Sequence, residues 1–222
     1  MTENMIEIKQ ADRNNFCETS MDSFDRFQEV QNVWRTENGR LVLKFQPFTE
    51  TWSPEQRRKK AEQILSGRYI TFCAFEGDAV VGEIMLIPEP NENRLIIDSF
   101  HVSRAYRRHG IGRRLIETVA DYARGRGASA LYASCCSAEE TIVFYRAMGF
   151  RLSEHPIPSC VEDEPFDIQM ECRLRGKEDE SSEEGWQSHS SAFSGIDTWA
   201  GSAGFLSDKK TGNTGKKKNR WN

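Results

Sequence analysis

The chain has 222 residues, 37% of them hydrophobic, and a formal net charge of −4 at pH 7. This length fits one domain, or one domain followed by a tail. The excess of acidic residues argues against a general nucleic-acid-binding protein and mildly favours a cationic substrate.

The apolar and cysteine content argues against a membrane-spanning helix, a signal peptide and a zinc site. No stretch approaches the roughly 18 apolar residues of a membrane-spanning helix. The polar N-terminus lacks the apolar core of a signal peptide. The six cysteines form no CxxC pair and have no zinc-like spacing to histidine, so we expect reduced thiols and no metal. These features predict a cytoplasmic protein with no membrane partner.

The composition changes after Arg175. From there the sequence is rich in Gly, Ser, Glu, Lys and Asn, and its seven acidic and seven basic residues cancel. Its few large apolar residues have no helical or strand period, so they cannot offset the entropy lost on ordering. We expect one domain over residues 1–175 and a low-complexity, disordered tail over 176–222. The alternative is that the tail's aromatic residues dock on the domain or on a partner.

In the first part of the domain, the spacing of apolar residues predicts the strands and helices. Alternation over residues 5–10 predicts a strand, and residues 40–48 predict another strand or an extended segment. Residues 12–35 predict one or two helices, because near-helical spacing relates Phe24, Phe27, Val30 and Val33. Another helix starts at Ser53, where Pro54 and Gln56 complete a start signal with a capping box, and it ends at Gly67.

The second part alternates strands and helices. Two apolar runs flank Glu76-Gly77-Asp78, which predicts a hairpin, and residues 93–102 form a third strand. An amphipathic helix over 112–125 and a strand over 130–134 follow. A further helix opens with Ser137 and Glu140 in capping-box register and ends at Gly149; strands at 150–155 and 165–174 complete the domain. This order predicts an α/β fold with a mixed sheet, helices on both faces and a right-handed central crossover.

The loop before the amphipathic helix, AYRRHGIGRRL (105–115), has the features of an anion site. Its glycines let backbone N–H groups approach a ligand, and the first amides of a helix lack internal partners. Arginines add positive charge at positions 107, 108, 113 and 114, so the loop suits a phosphate or pyrophosphate. It has no GxxxxGK[ST] motif, and Leu115 stands where the dinucleotide fingerprint needs a third glycine. A plain basic loop is the remaining alternative.

The surrounding motifs point to a known family. Arg107-x-x-Gly110-x-Gly112 follows a strand that ends in Phe100-His101-Val102, and residues 144–150 read FYRAMGF. Together these motifs resemble the GNAT superfamily of acetyl-CoA-dependent N-acetyltransferases, whose motifs run Q/R-x-x-G-x-G/A and roughly FY-x-x-x-GF. The resemblance is strong over 69–150 and absent from the tail. It implies a mostly antiparallel sheet with a central, splayed parallel pair.

The resemblance also implies how acetyl-CoA, the co-substrate, would bind. The main chain of Phe100, His101 and Val102 would pair with the pantetheine arm. Ser137 stands where family members often carry an asparagine that contacts the cofactor. The pyrophosphate would be held by the amides and charges of the loop residues Arg107, Arg108, His109, Gly110, Ile111, Gly112 and Arg113.

The implied reaction is transfer of the acetyl group to a primary amine by direct attack in a ternary complex. Tyr145 would act as general acid toward the departing thiolate. The amine, protonated at neutral pH, must lose a proton; the candidate bases are Asp98, Glu83 and His101, with ordered water as a further route, and the backbone of His101 is expected to matter more than its ring.

The acceptor and the assembly are left open by the sequence. The acceptor is a small cationic metabolite or antibiotic, or a protein amine. Residues 161–167, VEDEPFD, either line its site or form a polar loop. The alternative function is a non-catalytic acyl-CoA-binding or sensing module, and a homodimer is one open assembly.

Overall fold

The computed structural model describes residues 5–38 and 40–174. Its strands are β1 (Glu7–Gln10), β2 (Phe27–Glu37), β3 (Arg40–Thr51), β4 (Ile70–Glu76), β5 (Ala79–Leu86), β6 (Arg94–Val102), β7 (Ala130–Cys135), β8 (Arg151–Leu152) and β9 (Ile168–Arg173). Its helices are α1 (Pro54–Leu65), α2 (Ile111–Gly125), α3 (Glu139–Ala147) and α4 (Pro158–Asp163). No helix within these ranges is long and apolar enough to cross a membrane. The predicted tail, 176–222, lies outside the described residues.

The central sheet confirms the predicted fold class. Within the described residues, seven strands form one sheet in the order β1-β4-β5-β6-β7-β9-β8. Strands β6 and β7 run parallel, and every other neighbouring pair is antiparallel. Strands β2 and β3 form a separate two-stranded sheet. The parallel pair lies at the centre, with antiparallel strands on both sides of it.

Helices cover both faces of the sheet, as the sequence predicts. On one face, Leu115 and Val119 of α2 and Ile142 of α3 join the largest apolar cluster. On the other face, Ala61 and Ile64 of α1 pack in a second cluster, and α4 contributes to a third. Helix α4 has no counterpart in the sequence predictions. It is short and overlaps the first residues of the 161–167 segment, which the sequence predicts either to line the acceptor site or to form a polar loop.

The helices predicted over residues 12–35 are wrong. Strand β2 occupies 27–37 and pairs with β3 as a long hairpin. The pairing register shifts between Val30 and Asn32, and Val30 and Val33 are buried together in one cluster. Because this irregularity breaks the two-residue alternation of a strand, the buried valines stand three residues apart and imitate helical spacing.

The two predicted capping boxes have different outcomes. At α1, Ser53 and Gln56 form the reciprocal hydrogen bonds of a capping box, which confirms that prediction. At α3 the prediction is wrong, because Ala138 is the N-cap and no side chain caps the helix. The hydroxyl of Ser137 instead accepts a hydrogen bond from Nη1 of Arg35 at 2.6 Å. This contact links α3 to the hairpin.

Candidate active site

A cleft opens where the parallel strands β6 and β7 separate. Their pairing covers Arg94–Ile97 and Ala130–Ala133 and then stops, although both strands continue. The residue after Ile97 is Asp98, an extra residue in the pairing of β6 with β5, because Met85 faces Ser99 and Leu86 faces Ile97. The cleft of about 1870 Å³ is lined by both strand ends, α3, the hairpin and the 162–167 segment.

The bulge at Asp98 changes which side chains face which helix. Before it, Leu95 and Ile97 pack in the cluster that includes α2. After it, Phe100 packs in that cluster, whereas Ser99 and His101 contact groups on the α1 side. One extra residue reverses the two-residue alternation of a strand. The bulge therefore turns the polar residues of β6 toward α1.

The loop predicted to bind a phosphate, residues 107–112, leads into α2 and is called the anion cradle below. Arg108 and Gly110 have positive φ angles of 67° and 78°, so the chain turns sharply here. The N–H of Arg114 donates to the carbonyl of Gly110 at 3.0 Å, as the first bond of the helix. The preceding amides of the first turn, among them Ile111 and Gly112, have no helical acceptor. A Cβ atom added at Gly110 would meet no atom within 4 Å, so the space beside this glycine is open.

Two further residues hold this loop in position. Nε of Arg107 donates to the carbonyl of Val102 at 3.0 Å, which ties the loop to the end of β6. A Cβ atom added at Gly112 would lie 3.2 Å from the ring of Phe144 and 3.3 Å from that of Phe100. A larger residue at Gly112 would therefore need these rings to move slightly away from α2. The predicted cradle residues Arg107, Arg108 and Gly112 line the cleft, while His109 is exposed.

Tyr145 lines the cleft from α3. It is 6% exposed, and its ring meets those of Phe150 and Phe100 edge-on at 5.0 and 6.3 Å between centroids. Burial raises the pKa of Tyr145 well above its ordinary value, and nearby groups including Cys135 and Glu83 raise it further. The hydroxyl therefore stays protonated at neutral pH, as a proton donor must.

The three candidate bases occupy different positions. Glu83 on β5 is 0% exposed and lies beneath the cleft surface. His101 lines the cleft, and its Nδ1 lies 2.6 Å from Oε1 of Glu83. Asp98 also lines the cleft. The geometry therefore joins Glu83 and His101 as one pair in which only His101 reaches the cleft.

A buried lysine completes this polar group. Nζ of Lys60 donates to Oγ of Ser99 at 3.0 Å, and Oγ of Ser99 lies 3.2 Å from Oε2 of Glu83. Burial raises the pKa of Glu83, but Lys60, His101 and Ser99 lower it by more, so the net shift is downward. Burial lowers the pKa of His101 to about 4, and Glu83 opposes this shift only in part. The group therefore holds an ammonium, a carboxylate and a neutral imidazole at pH 7.

Three acidic residues form an acidic wall of the cleft, namely Glu50 from β3 and Glu164 and Asp167 from the loop before β9. The carboxylate of Glu50 is paired with Nη2 of Arg26 at 2.6 Å. Burial, together with the charges of Glu164 and Glu50 and against the opposing charge of Arg35, raises the pKa of Asp167 to about 7. The predicted acceptor segment 161–167 contributes Glu162, Asp163, Glu164, Pro165, Phe166 and Asp167 to the cleft.

The hairpin and Lys60 are parts of the site that sequence reasoning missed. Amide groups of Gln28 and Asn32 on β2 donate to Glu140 and Glu139 of α3, each at 2.8 Å, and so fasten the hairpin against α3. Because the apolar residues of 12–35 have near-helical spacing, the sequence predicted helices there and not this hairpin. Lys60 follows Arg57, Arg58 and Lys59 in the sequence. Such a run of basic residues is expected to lie on a solvent-exposed face of a helix.

Comparison with known proteins identifies the fold and the family. The sequence model of the acetyltransferase (GNAT) family matches residues 36–150. No curated protein matches the sequence. A nourseothricin acetyltransferase is 20% identical with a TM-score of 0.59, over 77% of this chain and 99% of that one.

Two bacterial structures give the same fold. A Bacillus anthracis str. Ames protein described as a streptothricin acetyltransferase, in complex with acetyl coenzyme A, is 16% identical with a TM-score of 0.58, over 77% of this chain and 99% of that one. An acetyltransferase of the GNAT family from Staphylococcus aureus Mu50 is 17% identical with a TM-score of 0.51, over 77% and 100%. The family match covers both the cradle and Tyr145. The chain therefore belongs to the GNAT acetyltransferase family.

Proposed function

We propose that this protein transfers the acetyl group of acetyl-CoA to a primary amine by direct attack in a ternary complex. The observation that carries the proposal is the gap between β6 and β7. Around it lie the anion cradle of 107–112, the unpaired edge of β6 and the side chains of Tyr145 and His101. These are the groups that binding and proton transfer in such a reaction require.

The proposed binding mode for acetyl-CoA uses the chain's backbone. The amides of 108–113 would hold the pyrophosphate, with the charges of Arg107 and Arg108 beside them. Among the described residues, the edge of β6 over Phe100–Val102 pairs with β5 on one side and with no strand on the β7 side. The carbonyl of Val102 is bound to Nε of Arg107, so the proposed pairing with the pantetheine amides uses the other backbone groups of this edge. Ser137 is left out of this proposal, because its hydroxyl is bound to Arg35.

The proposed proton transfers use His101 and Tyr145. His101 accepts a proton from the incoming ammonium and releases it to solvent, and the neutral amine attacks the thioester carbon. As the C–S bond breaks, Tyr145 donates its proton to the departing sulfur, and the tyrosinate regains a proton from the nitrogen, which must lose one as the amide forms. We assign the base to His101, with Glu83 as its hydrogen-bond partner, because Glu83 has no access to the cleft. Asp98 is the second candidate.

The proposed acceptor is a small amine with more than one positive charge. The wall formed by Glu50, Glu164 and Asp167 supports this choice, because closely spaced carboxylates repel one another and a cation relieves that repulsion. The raised pKa of Asp167 reflects this unfavourable crowding as well as burial. A second positive charge would lie against the wall while the reacting amine meets His101.

A thiol-release assay tests the proposed function. Purified full-length protein is mixed with acetyl-CoA and a panel of mono- and dicationic amines, and products are identified by mass spectrometry. We expect thiol release with at least one dicationic amine and a product heavier by one acetyl group. Acetyl-CoA binding without release by any amine would contradict the proposal and support a non-catalytic acyl-CoA-binding module.

Replacing Tyr145 by phenylalanine is expected to lower kcat by about 10²-fold or more, because the departing sulfur loses its proton donor. The Kd for acetyl-CoA should change by less than about threefold, since the ring and its packing are kept. Stopped-flow turnover and calorimetric binding measure the two effects. Tyr122→Phe, on α2 and outside the cleft, is the matched control; an unaltered kcat in Tyr145→Phe would remove Tyr145 from the mechanism.

Asp167→Asn is expected to raise KM for a dicationic amine about tenfold, equivalent to about 1.4 kcal/mol, while KM for a monocationic amine changes little. It should also stabilise the protein at alkaline pH. The folded-state pKa of about 7 lies above the ordinary value of 3.8, so the wild-type protein loses stability as pH rises between these two values, and the loss is complete above the higher one.

The gain in Tm of Asp167→Asn should therefore be larger at pH 8 than at pH 4, by about 2–4 °C for a change of roughly 1 kcal/mol. Calorimetry at the two pH values measures it. Asp121→Asn, at the exposed Asp121–Arg124 pair, is the control. Equal Tm differences at both pH values would show that Asp167 is not crowded by charge.

A further inference from the structure

Lys60 is a charged side chain in the interior of the protein. It is 3% exposed, although lysine is almost never buried without a partner. Its Nζ lies 3.0 Å from Oγ of Ser99 and 3.6 Å from Sδ of Met85, and 5.7 Å from the centre of the Trp52 ring. The adjacent Lys59 is exposed and pairs with Glu55. Of these two neighbouring lysines on α1, only Lys60 turns into the core.

Three successive contacts lead from Lys60 to His101. Ser99 accepts from Lys60 and donates to Glu83, whose carboxylate lies against Nδ1 of His101. Ser99 and His101 are two residues apart on β6 and face the same side, while Glu83 lies directly opposite His101 on β5. The four groups therefore form one continuous chain from α1 to the cleft.

We propose that Lys60 is a positioning residue for the base, acting through Glu83. Its charge keeps Glu83 as a carboxylate, which accepts the Nδ1 proton of His101 and so makes Nε2 the basic nitrogen of the ring. This inference rests on the proposed function, because it takes His101 to be the base. It adds a role for a residue that never contacts the substrates.

The charges around His101 favour this assignment. The ionised groups that act on it include Glu83 on β5, Lys60 on α1 and Arg26 before β2, and Trp52 packs edge-on against its ring at 4.8 Å between centroids. On the far side of Glu83, Cys73 of β4 is neutral because burial raises the pKa of its thiol. Without Lys60, a buried carboxylate would lack its main balancing cation, and the Glu83–His101 pair would take up a proton more readily.

The test is Lys60→Met in the full chain, followed by NMR titration of the histidine rings without acetyl-CoA or amine. His101→Gln identifies the signal. We expect the pair in Lys60→Met to take up its proton about 1 pH unit or more above the wild-type value. The acid limb of kcat/KM should move in the same direction by the same amount. Lys60→Arg, which keeps the charge, and Lys59→Met should both titrate like the wild type.

A folded Lys60→Met protein whose His101 titrates at the wild-type pH would overturn the proposal. If that variant does not fold, titration of the wild-type Glu83 carboxyl carbon decides instead. We expect it to ionise below its ordinary pKa of 4.5; ionisation above pH 6 would overturn the proposal. Because both NMR measurements need no turnover, a shifted His101 in a protein that acetylates no amine would support the charge coupling and contradict the proposed function.

Discussion

Gly110→Glu is expected to abolish measurable acetyl-CoA binding, raising Kd at least about 100-fold. The new side chain starts in the open space above the first amides of α2, where an added Cβ meets no atom within 4 Å. It would bring a carboxylate to the positive end of the helix, where it competes with the pyrophosphate for the same donors. Isothermal titration calorimetry with acetyl-CoA measures the loss.

A matched control separates this effect from backbone strain. Gly127, just after the other end of α2, also has a positive φ angle, 74°, and open space around its missing Cβ. Gly127→Glu carries the same strain of about 1–2 kcal/mol and the same charge, but should leave the Kd for acetyl-CoA within about twofold of the wild type. Equal affinity of Gly110→Glu and the wild type would show that the cradle does not bind the co-substrate.

His101→Gln is expected to lower kcat/KM for the amine by about 10²–10⁴-fold, because the ammonium loses the group that accepts its proton. Glutamine can keep a hydrogen bond to Glu83, so the fold and the Kd for acetyl-CoA should change little. In the wild type, the base works only while neutral. Because the pKa of His101 is lowered to about 4, its contribution should persist through pH 5–8 and disappear as pH falls through that pKa.

Two further variants test whether His101 or Asp98 is the base. His155→Gln alters an exposed ring outside the cleft and should keep wild-type kcat/KM. Asp98→Asn tests the second candidate base. A large loss in Asp98→Asn with wild-type activity in His101→Gln would transfer the role of base to Asp98 and would leave the Glu83–His101 pair as part of the structure alone.

The polar chain under the cleft explains why the two roles of Glu83 and His101 differ. A fully buried carboxylate cannot meet a substrate, but it can orient an imidazole that does. Its desolvation is offset by Lys60 and by the hydroxyl of Ser99. Removing any one charge leaves the others uncompensated in the interior, so Lys60 and Glu83 should couple strongly in a double-mutant cycle.

The elements predicted best are those whose signals are local in the sequence. The capping box at Ser53 and the hairpin around Gly77-Asp78 need only a few neighbouring residues to form. The same holds for the turn at Gly110 and the start of α2, which lie within one short segment; that this segment binds a phosphate stays a prediction. The motif FYRAMGF likewise predicted that Tyr145 lies on a helix that ends at a glycine. Short-range chemistry specifies such features because few other conformations satisfy it.

The parts that were missed depend on contacts between distant residues. The hairpin over 27–51 was predicted as helix on its first strand, since an irregular register gave its buried valines helical spacing. Ser137 was predicted as a helix cap, but Arg35 from the hairpin takes its hydroxyl. Neither the pairing of β2 with β3 nor the contact of Ser137 with Arg35 can be predicted from the local sequence, because tertiary contacts override local preference.

By itself, the sequence determined the family and predicted a phosphate-binding loop and a short set of candidate bases. Only the tertiary structure shows that Glu83 is buried whereas His101 and Asp98 line the cleft. The extra residue Asp98 reverses the alternation of β6, so that Ser99 and His101 face α1 while Phe100 faces α2. Strand pairing then sets Glu83 opposite His101, and helix packing brings Lys60 to Ser99. A strand's period is two residues, so a single bulge decides which side chains meet, and no local pattern in the sequence marks its position.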